Sequence, residues 1–135
     1  MFIADERIAR LPVIEMIAAA WDVRQHARIL GRTAVGCAAL DESLAIHVGC
    51  NVEHRFRSHD IHAEVAATSA LVAAGSQRMV AVLIAAERER FTPCGACMDW
   101  IFELGGDQCI VMVQRDPTMA PEIYTASQLM PHYPR

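Results

Sequence analysis

One histidine, one glutamate and a pair of cysteines could do chemistry in this 135-residue chain. His62 and Glu64 stand two residues apart in HAEVAA (62–67). Cys94 and Cys97 stand one helical turn apart in TPCGACMDW (92–100). A Cys-x-x-Cys pair can be a redox dithiol, two ligands of a metal ion, or a coincidence. A thioredoxin-type dithiol follows an early strand and opens the helix there, whereas this pair comes late in the chain. As half of a metal site the pair has good geometry. Two thiolates at a helix N-terminus can grip one ion, and the helix dipole favours their charge. They are still only two ligands. A structural zinc usually takes four, and a catalytic zinc takes three plus water.

His62 can supply the third. A lone histidine is more often an ordinary surface or core residue than a ligand. His62 differs because it begins a helix, as Cys94 does, and because Glu64 follows two residues on. Cys37, Cys50 and Cys109 sit in apolar strand contexts and read as core residues, so the fourth coordination position stays open. Glu64 on a solvent-facing helix would be a routine helix former. Two residues past a zinc ligand, it can reach the open position. Zinc lowers the pKa of bound water to near 7. A carboxylate beside that water can take its proton and carry it to a substrate nitrogen. Such chemistry suits addition of water to a C=N bond with loss of ammonia.

The elements that must position these residues can be read from the pattern. Residues 13–29 predict an amphipathic helix, with Ile14, Ile17, Ala18 and Trp21 at i, i+3, i+4 and i+7, Pro12 at its first turn and Gly31 at its end. AVGCAALD (34–41) and SLAIHVGC (43–50) read as two strands joined by a tight turn, followed by a polar loop, 51–60. A second helix spans 61–75, rich in alanine and stopped at Gly75. The apolar run 78–87 predicts a central strand buried on both faces. A third helix spans 94–106, entered through Pro93 and ended at Gly105. Residues 109–116 form another buried strand, and 122–131 a short strand running into a last helical turn. This order predicts a three-layer α/β/α fold, a mixed five-stranded sheet with helices on both faces, in a single domain over 1–135. The second and third helices each follow an element of one sheet, so their N-termini can meet at one sheet edge.

Composition excludes several classes. Hydrophobic residues make up 53% and charged residues 21%, which argues against disorder. A net charge of -4 with no Lys/Arg run argues against nucleic-acid binding. The longest apolar runs are too short to span a bilayer, and MFIADERIAR lacks the apolar core of a signal peptide. Five cysteines with one close pair do not make a secreted disulfide framework. The expectation is a protein of a reducing cytoplasm.

The pattern H-x-E…P-C-x-x-C is the signature of the zinc deaminases, and from about residue 30 the chain resembles the cytidine deaminase superfamily, specifically its small homotetrameric members. GCNVEHRFRSHDIHAE (49–64), AVGCAAL (34–40), PCGAC (93–97) and QLMP (128–131) carry the resemblance. It implies zinc held by His62, Cys94 and Cys97, with Glu64 as catalytic proton shuttle and Ala63 contacting the base. It implies that Asn51 and Glu53 hold the ribose hydroxyls. An amide and a carboxylate two apart on an extended segment do point the same way and can pair with vicinal hydroxyls. The resemblance further implies a nucleoside substrate, a role in pyrimidine salvage, and a homotetramer whose sites are shared between chains.

Three features depart from the family. The usual Cys-Ala-Glu-Arg is here His62-Ala63-Glu64-Val65. Two thiolates and a neutral imidazole leave zinc about neutral, so the compensating arginine is dispensable. The family's Phe-Pro, whose ring lines the pyrimidine site, is Thr33-Ala34. The loop after Asn-x-Glu carries Arg55, Phe56, Arg57 and two histidines, from which Phe56 is expected to supply the missing stacking surface and the arginines to meet a polar or anionic group. These changes bear on substrate identity. Alternatives are the same fold acting on a modified cytosine nucleoside, a blasticidin S-like antibiotic or a purine, then a non-catalytic zinc protein, then a thiol redox protein.

Overall fold

The computed structural model describes residues 6–134. Residues 1–5, which open the stretch read as lacking a signal peptide, and residue 135 lie outside them. Five strands form one sheet: β1 (Val35–Asp41), β2 (Ile46–Cys50), β3 (Met79–Ala86), β4 (Ile110–Gln114) and β5 (Glu122–Thr125), in the order β2-β1-β3-β4-β5. β1 runs antiparallel to both neighbours, β3 and β4 are parallel, and β5 is antiparallel to β4. The helices are α1 (Glu6–Ala9), α2 (Val13–Arg24), α3 (Ala63–Ala73), α4 (Gly95–Gly105) and α5 (Ala126–Leu129). The expected mixed sheet and three layers are both present.

The alternation of side chains along the strands makes two cores. Cys37 and Ala39 of β1, Val82 and Ile84 of β3, and Val111 and Val113 of β4 pack with Ala67 and Leu71 of α3 and Met98 and Ile101 of α4. The intervening residues Ala38, Leu40, Ala81, Leu83, Ile110 and Met112 face the other way, onto Met16 and Ala20 of α2. β3 is buried on both sides because its whole apolar run is shared between these two cores.

Two glycines set how closely helices approach the sheet. A Cβ at Gly36 would lie 2.0 Å from the Ala20 carbonyl oxygen, so α2 rests directly on β1. A Cβ at Gly49 would lie 2.4 Å from the Ala67 amide nitrogen, so α3 rests directly on β2. The first contact explains one departure from expectation. The face of α2 that meets the sheet is Met16 and Ala20, flanked by Val13 and Ile17, while Ile14 stays 80% exposed. The helix also stops at Arg24 rather than 29. Beyond it the Arg28 backbone pairs with the strand-like segment after β2, donating to the Asn51 carbonyl at 3.0 Å and accepting from the Glu53 amide at 2.7 Å. Gly31 therefore lies in a loop rather than at a helix end. The β1–β2 connection is the tight turn expected, with the Leu44 amide donating to the Asp41 carbonyl at 3.0 Å, but β2 begins at Ile46 rather than at 43.

That connection is organised by a buried carboxylate. Asp41 is 2% exposed. It accepts hydrogen bonds from the Ser43 hydroxyl at 2.7 Å, the Ser76 hydroxyl at 2.6 Å and the Ala45 amide at 3.0 Å, and pairs with His47 Nε2 at 2.8 Å. Bonds from Ser43, then Ser76 and His47, hold its pKa well below the usual carboxylate range, against the opposing effect of burial. A depressed folded-state pKa gives stability that is complete above the unfolded value, about 3.9, and is lost as pH falls toward the folded one. Thermal unfolding followed against pH should therefore show Asp41→Asn about 1–3 kcal/mol less stable at neutral pH, with the gap to wild type closing below about pH 4.

Candidate active site

The sheet register brings the chemical residues to one end of the molecule. β2 and β3 both oppose β1, so they run the same way and finish at the same end, on either side of the start of β1, with Cys50 across from Gly36 and Ala86 across from Val35. The loop after β2 leads into α3, and the loop after β3 leads into α4, so both helices begin at the same end of the strands, not at a lateral sheet edge. His62 is the N-cap of α3, and Cys94 is the N-cap of α4 with Cys97 in the first turn. Both caps have extended backbone and neither makes a side-chain capping bond, so their side chains are directed elsewhere.

The three converge. His62 Nδ1 is 3.3 Å from Cys97 Sγ and 3.4 Å from Cys94 Sγ, and the two sulfurs are 3.6 Å apart. Ligands on a tetrahedral zinc, at about 2.3 Å for sulfur and about 2.0–2.1 Å for nitrogen, sit about 3.8 Å (sulfur to sulfur) and about 3.6 Å (sulfur to nitrogen) from one another. The donor set and its spacing fit zinc. Cys97 is buried, while His62 and Cys94 reach solvent. Burial, and then the neighbouring Glu64 and Cys94, push the Cys97 thiol up.

Glu64 lies in the first turn of α3 and is 3% exposed. Burial raises its pKa above the ordinary carboxylate value, partly offset by hydrogen bonds to its own backbone and the Cys97 thiol. The carboxyl opens onto a cavity of about 530 Å³ whose wall also includes His62, Ala63, Cys94, Asn51 and Glu53. This volume lies in the ordinary range for small-ligand sites.

Asn51 and Glu53 line that cavity, but their polar atoms already hold the backbone around it. Asn51 Oδ1 accepts from the Val35 amide at 2.9 Å, and its Nδ2 donates to the Thr33 carbonyl at 2.8 Å. Glu53 Oε1 accepts from the Leu30 and Gly31 amides at 2.6 and 2.8 Å. These bonds, Gly31 before Leu30, keep its pKa low. Its other oxygen meets Arg57 at 3.1 Å, and Arg57 also pairs with Asp60 at 2.8 Å. The loop over 51–60 is thus ordered, with a 3₁₀ turn at Arg57–His59 and backbone pairing between Val52 and Ile61.

Phe56 sits apart from these residues. It is 58% exposed, stacks on His54 at 5.4 Å, lies under the Arg55 guanidinium, and does not line the cavity. The 3₁₀ turn that aims Arg57 and Asp60 inward carries Phe56 and Arg55 outward. One segment went unrecognised in the sequence. The Arg88–Thr92 segment forms part of the cavity wall, and Phe91 brings a ring to it. The visible sign was one large apolar residue closing a charged run immediately before Thr92-Pro93-Cys94.

Comparison with known proteins agrees with this geometry. The cytidine and deoxycytidylate deaminase zinc-binding region matches residues 13–113. A cytidine deaminase of Mycobacterium tuberculosis (strain CDC 1551 / Oshkosh) is 33% identical over 81 residues, a stretch that is 59% of this chain and 61% of that relative. The crystal structure of cytidine deaminase from Burkholderia pseudomallei superimposes with a TM-score of 0.79 at 26% identity, over 88% of this chain and 96% of that one. The cytidine deaminase from Mycobacterium leprae gives 0.78 at 27% identity, over 90% and 99%. With the zinc-binding region matched across most of its length, the chain belongs to the cytidine and deoxycytidylate deaminase family.

Proposed function

We propose that the protein is a zinc-dependent hydrolase that deaminates cytidine, deoxycytidine or a closely related aminopyrimidine nucleoside, releasing ammonia and the uridine-type product, with residues 1–135 acting as one domain. The observation that carries this reading is the buried Glu64 carboxyl opening onto the same cavity as His62 and Cys94, beside a three-donor cluster that fits zinc. A structural zinc has no use for such a carboxyl, which disfavours a non-catalytic zinc protein. His62, Cys94 and Cys97 would hold the zinc, whose chemistry would be to acidify a water molecule at neutral pH. Glu64 takes the protons that the attacking water gives up. One goes to the ring nitrogen and one to the departing amino group, so that water and an amidine become a carbonyl and ammonia. Burial makes the Glu64 carboxylate more basic than an exposed one, which suits a group that must accept a proton before returning it. Ala63, buried between His62 and Glu64, offers backbone groups to the base. Asn51 and Glu53 contribute to the sugar end through the loop they hold as well as through their own oxygens.

Relatives named cytidine deaminase support a cytosine nucleoside over a purine or a blasticidin-like antibiotic. Among the described residues no helix is long and apolar enough to cross a membrane. All five cysteines are free, which suits a reducing cytoplasm and a place in pyrimidine salvage. A homotetramer is supported by apolar surface that one chain leaves uncovered: Ile14, Val72, Trp100 and Met119 are between 48% and 80% exposed, and Val72 and Trp100 line an apolar groove between α3 and α4.

Three measurements test these statements. A screen of nucleosides for ammonia release, run on zinc-loaded protein, should single out cytidine or deoxycytidine, and Glu64→Gln should bind zinc normally yet lose ~10²–10⁴-fold in turnover; retained turnover would move the proton-transfer role to another group. Metal analysis should find one zinc per chain in wild type and little in Cys94→Ala, and full occupancy in that variant would remove Cys94 from the ligand set. Light scattering on active protein should give a multiple of the 14.9 kDa chain mass. A mass of one chain at full activity would exclude shared sites.

A further inference from the structure

We propose that Phe91 is the ring on which the pyrimidine base stacks, and so a substrate-positioning residue of the site. The inference rests on the deaminase reading, since it presumes a flat heteroaromatic ring as substrate. Among the described residues Phe91 is the one phenyl or indole side chain in the cavity wall. It shares that wall with His62, Glu64 and Cys94, and only two residues separate it from Cys94 in the chain. Phe56 lies outside the wall, and Thr33 lies in it but has no ring. A base placed with its amino-bearing carbon near Glu64 therefore has a single flat apolar surface available.

Three features hold Phe91 there. Its ring packs against the core beneath α4 and is half-buried, which limits its rotamers. Its carbonyl accepts a hydrogen bond from Arg115 Nη2 at 2.7 Å, and Arg115 is itself ion-paired with Glu122 on β5. The preceding residue, Arg90, has φ of 58°, a left-handed conformation uncommon outside glycine, asparagine and aspartate. A non-glycine residue keeps such backbone only where its surroundings impose it, and these positions concentrate at ligand-binding sites. Here the reversal at Arg90 presents the next side chain to the cavity. An edge or face contact between a base and a fixed phenyl ring contributes beyond the area it buries, and it is tolerant of the substituents on the base.

The test uses the zinc-loaded full chain and its Phe91→Leu and Phe91→Tyr variants. Leucine keeps apolar volume and removes the flat ring; tyrosine keeps the ring. Zinc content and melting temperature are measured first, then KM and kcat for cytidine and deoxycytidine, and the Kd of uridine by calorimetry. Phe91→Leu should retain zinc and stability, raise KM and the uridine Kd roughly 2- to 10-fold, and leave kcat little changed, while Phe91→Tyr should match wild type. Equal KM and Kd in wild type and the leucine variant would overturn the inference. So would a leucine variant that loses zinc or unfolds, or a tyrosine variant as weak as leucine, since each makes Phe91 a structural residue. Absence of any cytosine-nucleoside turnover in wild type would instead remove the deaminase reading, and the stacking role with it.

Discussion

Everything at the site depends on one strand running against both of its neighbours. Because β1 opposes β2 and β3, those two end together. Each then hands the chain to a helix lying on the same face of the sheet. Two helix N-termini thus arrive at one end of the sheet, and the core that α3 and α4 share holds them there. A helix start carries unpaired amide groups and partial positive charge. Two such starts at one point make a place where thiolates, a carboxyl and a bound metal can be concentrated in a small volume. The chemistry is thus a product of topology first and of residue type second.

Desolvation then divides the labour. Cys97 and Glu64 are buried, while His62 and Cys94 reach solvent. This ligand set is appropriate for such a half-buried position, since two thiolates and a neutral imidazole would balance a divalent ion without an extra cation. Val65 stands beside Glu64 with no charge to offset. The cavity's far wall is held differently, by carboxylate and amide side chains that bind main chain. Asn51 fixes the approach to β1, and Glu53 fixes the turn after α2. Arg57 links Glu53 to Asp60, so the charged loop is folded back on itself rather than left open to solvent.

The sequence was most informative where spacing and topology coincide. His62, Glu64, Cys94 and Cys97 could be paired from their positions relative to predicted helix starts, and the buried runs of β3 and β4 were plain from composition. The boundary and face of α2 were not. They are decided by the missing Cβ of Gly36 and by the Arg28 backbone pairing with Asn51 and Glu53, both long-range effects that periodicity does not register. Phe56 was expected at the base because its loop borders the site, but a 3₁₀ turn splits that loop, sending Arg57 inward and Phe56 outward. Phe91 was overlooked because its role comes from a left-handed residue before it, and arginine gives no hint of that conformation in a sequence.

The close seat of α3 on Gly49 has a consequence for engineering. Glycine within a strand is ordinarily a position to improve, because a side chain there lowers the entropy of the unfolded chain. Here the added methyl would have to displace the backbone at Ala66 and Ala67. That point lies about one turn and a half from His62, on a helix that moves as a stiff rod with a rise of about 1.5 Å per residue. A shift at the seat is carried to the ligand end, where distances of 3.3–3.6 Å between donors leave little slack. Attempts to harden this protein against heat should therefore leave the β2–α3 contact alone and spend their substitutions on the α2 side of the sheet, away from the equally tight contact at Gly36.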